Sequence, residues 1–199
     1  MLYLLRHGDI ATSKEKRFIG WTDIPLSQRG REQALAWRQA FGGLKFSGIW
    51  SSPLQRACET AALIACSCQH LFENAVQTAK ELREIHLGTW DGVAMSHIQT
   101  QHPDLWRERG ENIATFRPPE GESFADLQQR TVRFITRLAA ENTGDLLIVT
   151  HAGVIRVVLC HALNAPLPHL FRIHIDYGGL TLIRTDNDTF HVHAVNRCL

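Results

Sequence analysis

Two histidines and two arginines stand where a chain delivers side chains to one point. Arg6-His7-Gly8 closes the apolar run Leu2 to Leu5, and His151-Ala152-Gly153 closes the run Leu146 to Val149. Arg56 follows a shorter run, Ile49-Trp50, in the first turn of a helix read as opening with Ser52 as N-cap and Pro53 as first residue. Helical side chains lean toward the N-terminus, so Arg56 reaches back over the strand end it follows. Two guanidiniums and two imidazoles then converge. The arginine fork matches the oxygens of a phosphate and keeps its charge near neutral pH. A neutral imidazole is a nucleophile, and an unperturbed pKa near 6.5 makes that form available. A phosphoryl group is the natural ligand of such a cluster, and one of the two histidines could attack phosphorus.

The elements that must position these groups follow from the same runs. Continuous apolar stretches of this length read as strands buried on both faces. Helical patterns come after them. Ser27 is read as the cap of a helix with Ala34, Trp37 and Phe41 inward. Leu54, Ala57, Cys58, Ala61 and Ala65 share one face of the helix carrying Arg56. Ser123-x-x-Asp126 is a capping-box variant opening a helix with Phe124, Leu127, Thr131, Phe134 and Leu138 inward and Arg130, Arg133 and Arg137 outward. Repeated β then α predicts an α/β three-layer sandwich, a mainly parallel sheet with helices on both faces and ligands beyond the strands' carboxyl ends. Gly179 to Ile183 and Phe190 to Val195 read as a final edge hairpin. Between about 88 and 121 the pattern weakens around His102-Pro103 and Pro118-Pro119, which predicts a cap insert within a single domain spanning 1–199.

Composition excludes other classes. The chain has 199 residues, 44% hydrophobic and 21% charged, which is ordinary globular usage. A formal charge of +1 without like-charge runs argues against nucleic acid as a partner. No apolar stretch approaches the roughly 18 residues of a membrane span, and the start lacks a signal-peptide layout, so a cytoplasmic protein is expected. Five cysteines without framework spacing suit reduced thiols. Cys66, Cys68 and His70 lie close together but are one ligand short of a structural zinc site. His191 and His193 share a strand face and are read as solvent-facing. Walker, dinucleotide, zincin and serine-hydrolase motifs are absent from the sequence.

Leu4-Leu5-Arg6-His7-Gly8 resembles the signature of the histidine phosphatase superfamily, which includes phosphoglycerate mutases, broad phosphatases and α-ribazole phosphatases. Further matches follow in the same order: Arg17 to Leu26, Ser51 to Ala57, Leu82 to Gly92, Gly121 to Phe124, Val149 to Arg156, and the Tyr177-Gly178-Gly179 turn. The resemblance implies His7 as the nucleophile that becomes phosphohistidine. It implies Arg6, Arg56 and His151 as holders of the phosphoryl oxygens, Glu84 as the proton donor, and Ser13, Phe18 and Gly20 as further substrate contacts. No metal or cofactor is implied, since cationic donors stabilise the equatorial oxygens. Glu81, three residues before Glu84, is the competing carboxylate.

This sequence departs from the resemblance at Ile10, where relatives have Thr or Ser, at Ser13, where they have Asn, and at His86, where Asp is common. The leading expectation is a metal-independent phosphomonoesterase acting on a small-molecule phosphate ester. The alternatives are a phosphoglycerate mutase, against which the short insert and scattered Arg107 and Arg109 argue, and a non-catalytic phospholigand binder. The run Arg17 to Leu26, with Gly121 to Phe124 and Phe171 to Gly179, most resembles α-ribazole phosphatases. Phe18, Trp21, Trp90 and Trp106 are the aromatics expected to stack on a flat base at the pocket mouth.

Overall fold

The computed structural model describes residues 1–11, 15–65, 76–186 and 189–199. The strands are β1 (Leu2–Arg6), β2 (Phe46–Ser51), β3 (Gln77–Thr78), β4 (Asp145–Thr150), β5 (Leu180–Asp186) and β6 (Thr189–Arg197). They form one sheet in the order β3-β2-β4-β1-β5-β6. The pairings from β3 to β1 are parallel and the last two antiparallel, so the sheet is mainly parallel. In register, Arg6 lies opposite Thr150 and Ser51 opposite Val149. The residues that leave these three strands, His7, Ser52 and His151, therefore emerge along one edge.

Alternation along the strands sends side chains to two separate cores. Leu2, Leu4, Leu146, Ile148 and Ile183 pack on α5 (Phe124–Glu141) and α6 (Ala152–Ala162) through Phe134, Ile135, Leu138, Ile155 and Leu159. Leu5, Leu147, Val149 and Leu180 pack on α1 (Gln28–Ala40) and α2 (Gln55–Ala65) through Trp37, Ala57, Ala61 and Ile64. Each fully buried aliphatic side chain contributes about 1.5–3 kcal/mol of transfer free energy. The result is the expected layered α/β fold, with helices on both faces of the sheet.

Local signals set the helix starts. Ser27 caps α1, its Oγ accepting Gly30 N–H at 3.0 Å while donating to Asp9 at 2.7 Å. Ser123 and Asp126 complete the capping box of α5. The segment expected as an insert carries a 3₁₀ turn at Gly88–Trp90, then α3 (Met95–Gln101) and α4 (Pro103–Glu111), with His102 between the two helices and Pro103 in the first turn of the second. A third core of Phe18, Trp90, Phe116, Leu127 and Val154 joins it to α5 and α6.

Three readings need correction. Ser52 and Pro53 do not open α2, which starts at Gln55, because the Ser52 hydroxyl is drawn to His151. The short run Ile49-Trp50 is part of a longer strand, β2, which begins at Phe46. Arg133 and Arg137 face outward, but Arg130 turns in to pair with Glu122 at 2.8 Å. Among the described residues Cys58, Cys160 and Cys198 are free thiols, and no helix is long and apolar enough to cross a membrane. His191 and His193 are exposed on β6. Cys66, Cys68 and His70 lie outside the described residues.

Candidate active site

His7 leaves β1 with its backbone held from two sides. Its N–H donates to Thr150 O at 2.9 Å, and its carbonyl accepts Gly178 N–H at 3.1 Å. The ring is 4% exposed, and Nδ1 lies 2.8 Å from Gly8 O. A carbonyl accepts only, so Nδ1 carries the proton and Nε2 keeps its lone pair. Burial first, then the charges of Arg6 and Arg56, hold the His7 pKa well below the ordinary histidine value. The free protein therefore presents a neutral, oriented imidazole. Glycine makes the local path possible: a Cβ on Gly8 would lie 2.3 Å from Gly30 O, where the first turn of α1 presses against the loop.

Around this ring stand the other groups expected at the strand edge. The His151 ring is 5.0 Å from it, centroid to centroid, and the Tyr177 ring 5.5 Å. Arg6 lays its guanidinium 3.6 Å over Tyr177 and donates through Nη1 to Ile175 O at 2.8 Å. Arg56, 1% exposed, reaches back from α2 to donate to Thr22 O at 2.9 Å and Gly20 O at 2.7 Å. Gly20 thus enters through its carbonyl, as a brace for Arg56. Burial lowers the pKa of both arginines, and the negative charge of Glu84 opposes that shift in each. An arginine remains charged at neutral pH even so.

His151 caps α6 and is fully buried. Its Nε2 lies 2.7 Å from Ser52 Oγ, a hydroxyl that accepts Leu54 N–H at 3.3 Å. With the hydroxyl donating to Nε2, the ring proton sits on Nδ1. Burial, then Arg56, keeps this histidine neutral too, its pKa well below the usual value. The two arginines, not His151, carry the positive charge of the free site. Among the described residues, the buried side-chain nitrogens and oxygens without a hydrogen-bond partner are Arg6 Nε, Arg56 Nε and His151 Nδ1. Leaving a buried donor unpaired costs about 1–3 kcal/mol. Three such donors around one imidazole suit an anion with several oxygens.

Glu84 stands across the start of α6. Its Oε2 accepts Gly153 N–H at 3.1 Å and its Oε1 accepts Ile85 N–H at 2.9 Å. The loop bearing it is gathered by Arg130, which donates to the carbonyls of Glu81 at 2.6 Å and of Arg83 and Glu84 at 3.0 Å each while paired with Glu122. Glu81 itself points its carbonyl, rather than a located carboxyl contact, into this network. Among the described residues no group of three or more His, Cys, Asp and Glu is arranged to hold a metal.

Some expected contacts fall elsewhere. Phe18 is 3% exposed and packs on Trp90, with ring centroids 5.3 Å apart, so its ring serves the third core and cannot stack on a substrate. Trp90 is buried with it, and Trp106 lies 6.3 Å from the Phe18 ring. The Trp21 indole meets His86 at 4.1 Å and Arg83 at 3.7 Å and bonds Glu84 O at 2.8 Å. Ile10 is buried and bridges to Leu26, a packing role. Ser13 lies outside the described residues. Sequence reasoning missed Asp91, whose carboxylate accepts the N–H groups of Gly20, Trp21 and Thr22 at 2.8, 2.7 and 2.8 Å and so fixes the loop bracing Arg56. Its place in Gly88-Thr89-Trp90-Asp91-Gly92 was the available signal. Ser52 was read as a helix cap and instead orients His151.

Residues 2–197 match the histidine phosphatase superfamily (branch 1), and the chain belongs to it. It is similar to the adenosylcobalamin/alpha-ribazole phosphatase of Escherichia coli K12, 31% identical over 185 residues covering 89% of this chain and 86% of the relative. It is also similar to phosphoglycerate mutase-like protein 4 of Arabidopsis thaliana, 32% identical over 158 residues covering 78% of this chain and 67% of the relative. Among solved structures, a putative alpha-ribazole-5'-P phosphatase from Escherichia coli K-12 superposes with TM-score 0.87 at 25% identity, covering 98% of this chain and 95% of that one. A mycobacterial glucosyl-3-phosphoglycerate phosphatase gives 0.85 at 26% identity, covering 98% and 97%. Within the superfamily, this chain is a phosphatase.

Proposed function

We propose that the protein hydrolyses phosphate monoesters without a metal, through a phosphohistidine on His7. The observation that carries this is the neutral His7 ring, proton on Nδ1, beside three unpartnered buried nitrogens. The phosphoryl oxygens lie against Arg6, Arg56 and His151 Nδ1–H. Nε2 attacks phosphorus in line as the P–O ester bond breaks, and Glu84 gives its proton to the leaving oxygen. Water then attacks the phosphohistidine and gives a proton back to Glu84. The N–P bond breaks, and phosphate and free His7 are restored. The arginines stabilise the charge on the equatorial oxygens that a metal would otherwise face.

For substrate, we propose α-ribazole 5′-phosphate, and with it a place in cobalamin assembly. Support comes from the relatives of that name and from the sequence runs that resemble them, not from aromatic stacking, since Phe18 and Trp90 are buried. The segment at about 88–121 is proposed as a cap over the alcohol half. A reducing compartment suits five unframed cysteines, and the cytoplasm is the proposed location. Phosphate release from p-nitrophenyl phosphate, α-ribazole 5′-phosphate and 3-phosphoglycerate tests this reading. Turnover of the aryl ester, with a higher kcat/KM for α-ribazole phosphate than for phosphoglycerate, supports it. Binding without turnover makes the protein a phospholigand binder. Isomerisation of phosphoglycerate makes it a mutase.

A further inference from the structure

Arg156 is a half-buried guanidinium near Glu84 that makes no ion pair among the described residues. It stands one helical turn after Gly153 on α6, and positions three apart share a helix face. Gly153 is the residue whose N–H holds Glu84 Oε2. Because helical side chains lean toward the N-terminus, the Arg156 head is carried toward Glu84. Its Nε is anchored, donating to Ile173 O at 2.9 Å, while Nη1 and Nη2 have no partner among the described residues. Burial lowers its pKa; Glu84 is near enough to oppose that, and Arg6 near enough to add to it.

The surroundings extend outward from the ester. The Arg156 guanidinium lies 5.4 Å from the ring centre of Phe171, an aromatic that is 51% exposed. Arg109 also lies 6.0 Å from that ring, and among the described residues it has neither a hydrogen bond nor an ion pair. An ordinary surface arginine keeps its head in water or beside a carboxylate. These two give up part of their hydration against aromatic rings, Arg156 by Phe171 and Arg109 by Phe18 and Phe171, with no carboxylate in ion-pair contact among the described residues.

We infer that Arg156 is a specificity residue that takes a second anionic group, a carboxylate or a phosphate, where the alcohol half of a phosphate ester carries one. This rests on the proposed role of Glu84, because the proton donor marks the side on which the alcohol leaves. With Nε held by Ile173 O, the two Nη groups are left as a fork for oxygens. Arg109, beside the same Phe171 ring, adds positive field. Of two nucleotides, or two small esters, that differ only in such a second anion, the one that carries it is then the better substrate.

Two matched pairs of substrates test this. 3-Phosphoglycerate and glycerol 3-phosphate differ by a carboxylate in place of a hydroxymethyl group. Adenosine 3′,5′-bisphosphate and adenosine 5′-phosphate differ by one phosphate, and release from the 5′ position is followed by chromatography of the products, adenosine 3′-phosphate and adenosine respectively. The expected result is a kcat/KM about tenfold or more higher for the more anionic member of at least one pair. The pair that shows it identifies the source of the anion. Arg156→Gln abolishes the preference and changes p-nitrophenyl phosphate turnover less than threefold, whereas Arg156→Lys restores part of it. Equal kcat/KM within both pairs in the wild type, or a preference unchanged in Arg156→Gln, overturns the inference. Failure to hydrolyse p-nitrophenyl phosphate at all is a separate result, and it overturns the proposed function beneath it.

Discussion

Gly153 and Glu84 fit together so closely that a Cβ on the glycine would lie 2.2 Å from Glu84 Oε1, while the Gly153 amide holds Oε2 at 3.1 Å. The start of α6 thus both anchors the carboxylate and leaves room for nothing larger than hydrogen. Gly153→Ala must move the carboxylate. Displacements of about 1 Å cost on the order of 10²-fold in rate, while alanine is the better helix residue by up to about 1 kcal/mol. Activity is therefore expected to fall about a hundredfold with no loss in Tm. An unchanged kcat would mean that Glu84 is not held for catalysis.

The two buried histidines give a pH signature. ¹⁵N NMR of the free protein is expected to show His7 neutral at pH 6.5, protonated on Nδ1, with His151 also neutral, since burial and nearby arginines lower both pKa values. The sign for stability follows. Below about pH 6.5 the unfolded chain takes up protons on both rings while the folded chain does not, so each ring makes stability fall as pH drops through that value. Titration of the His7 ring near 6.5 in the folded protein would contradict this.

The strand edge was legible because its determinants are local. Leu2 to Leu5 and Leu146 to Val149 are apolar without a break, as strands covered on both faces require, and the residues that follow them reach the site by register alone. Ser27 and Ser123 were readable as caps because a cap is satisfied within its own first turn. Ser52 looked the same in sequence, but His151, distant in the chain, takes its hydroxyl. Arg130 has the spacing of an outward residue and is turned inward by Glu122 and three loop carbonyls. Phe18 sits in a run that resembles substrate-binding segments, yet its ring goes to the core with Trp90. Long-range partners decided each of these.

Glu84→Gln separates proton donation from binding. A glutamine keeps the shape but cannot protonate an alkoxide, so hydrolysis of alkyl phosphates such as glycerol 3-phosphate is expected to fall about 10²- to 10⁴-fold. Turnover of p-nitrophenyl phosphate, whose leaving group needs little protonation, falls far less. Equal losses on both would assign Glu84 a structural role and move the test to Glu81→Gln.

Chelation addresses the electrophile. With Arg6 and Arg56 supplying the positive charge around His7, activity after prolonged EDTA treatment and dialysis is expected to match that of the untreated enzyme. Loss restored by one divalent ion would replace the arginine account and turn attention to Cys66, Cys68 and His70.

The covalent step is tested most directly by trapping it. Wild-type protein quenched during turnover of a ³²P-labelled monoester is expected to carry a label that is acid-labile, base-stable and located on His7, and His7→Ala is expected to show neither label nor turnover. Full activity in His7→Ala, or steady turnover in the wild type with no label at any quench time, would contradict attack by His7 Nε2.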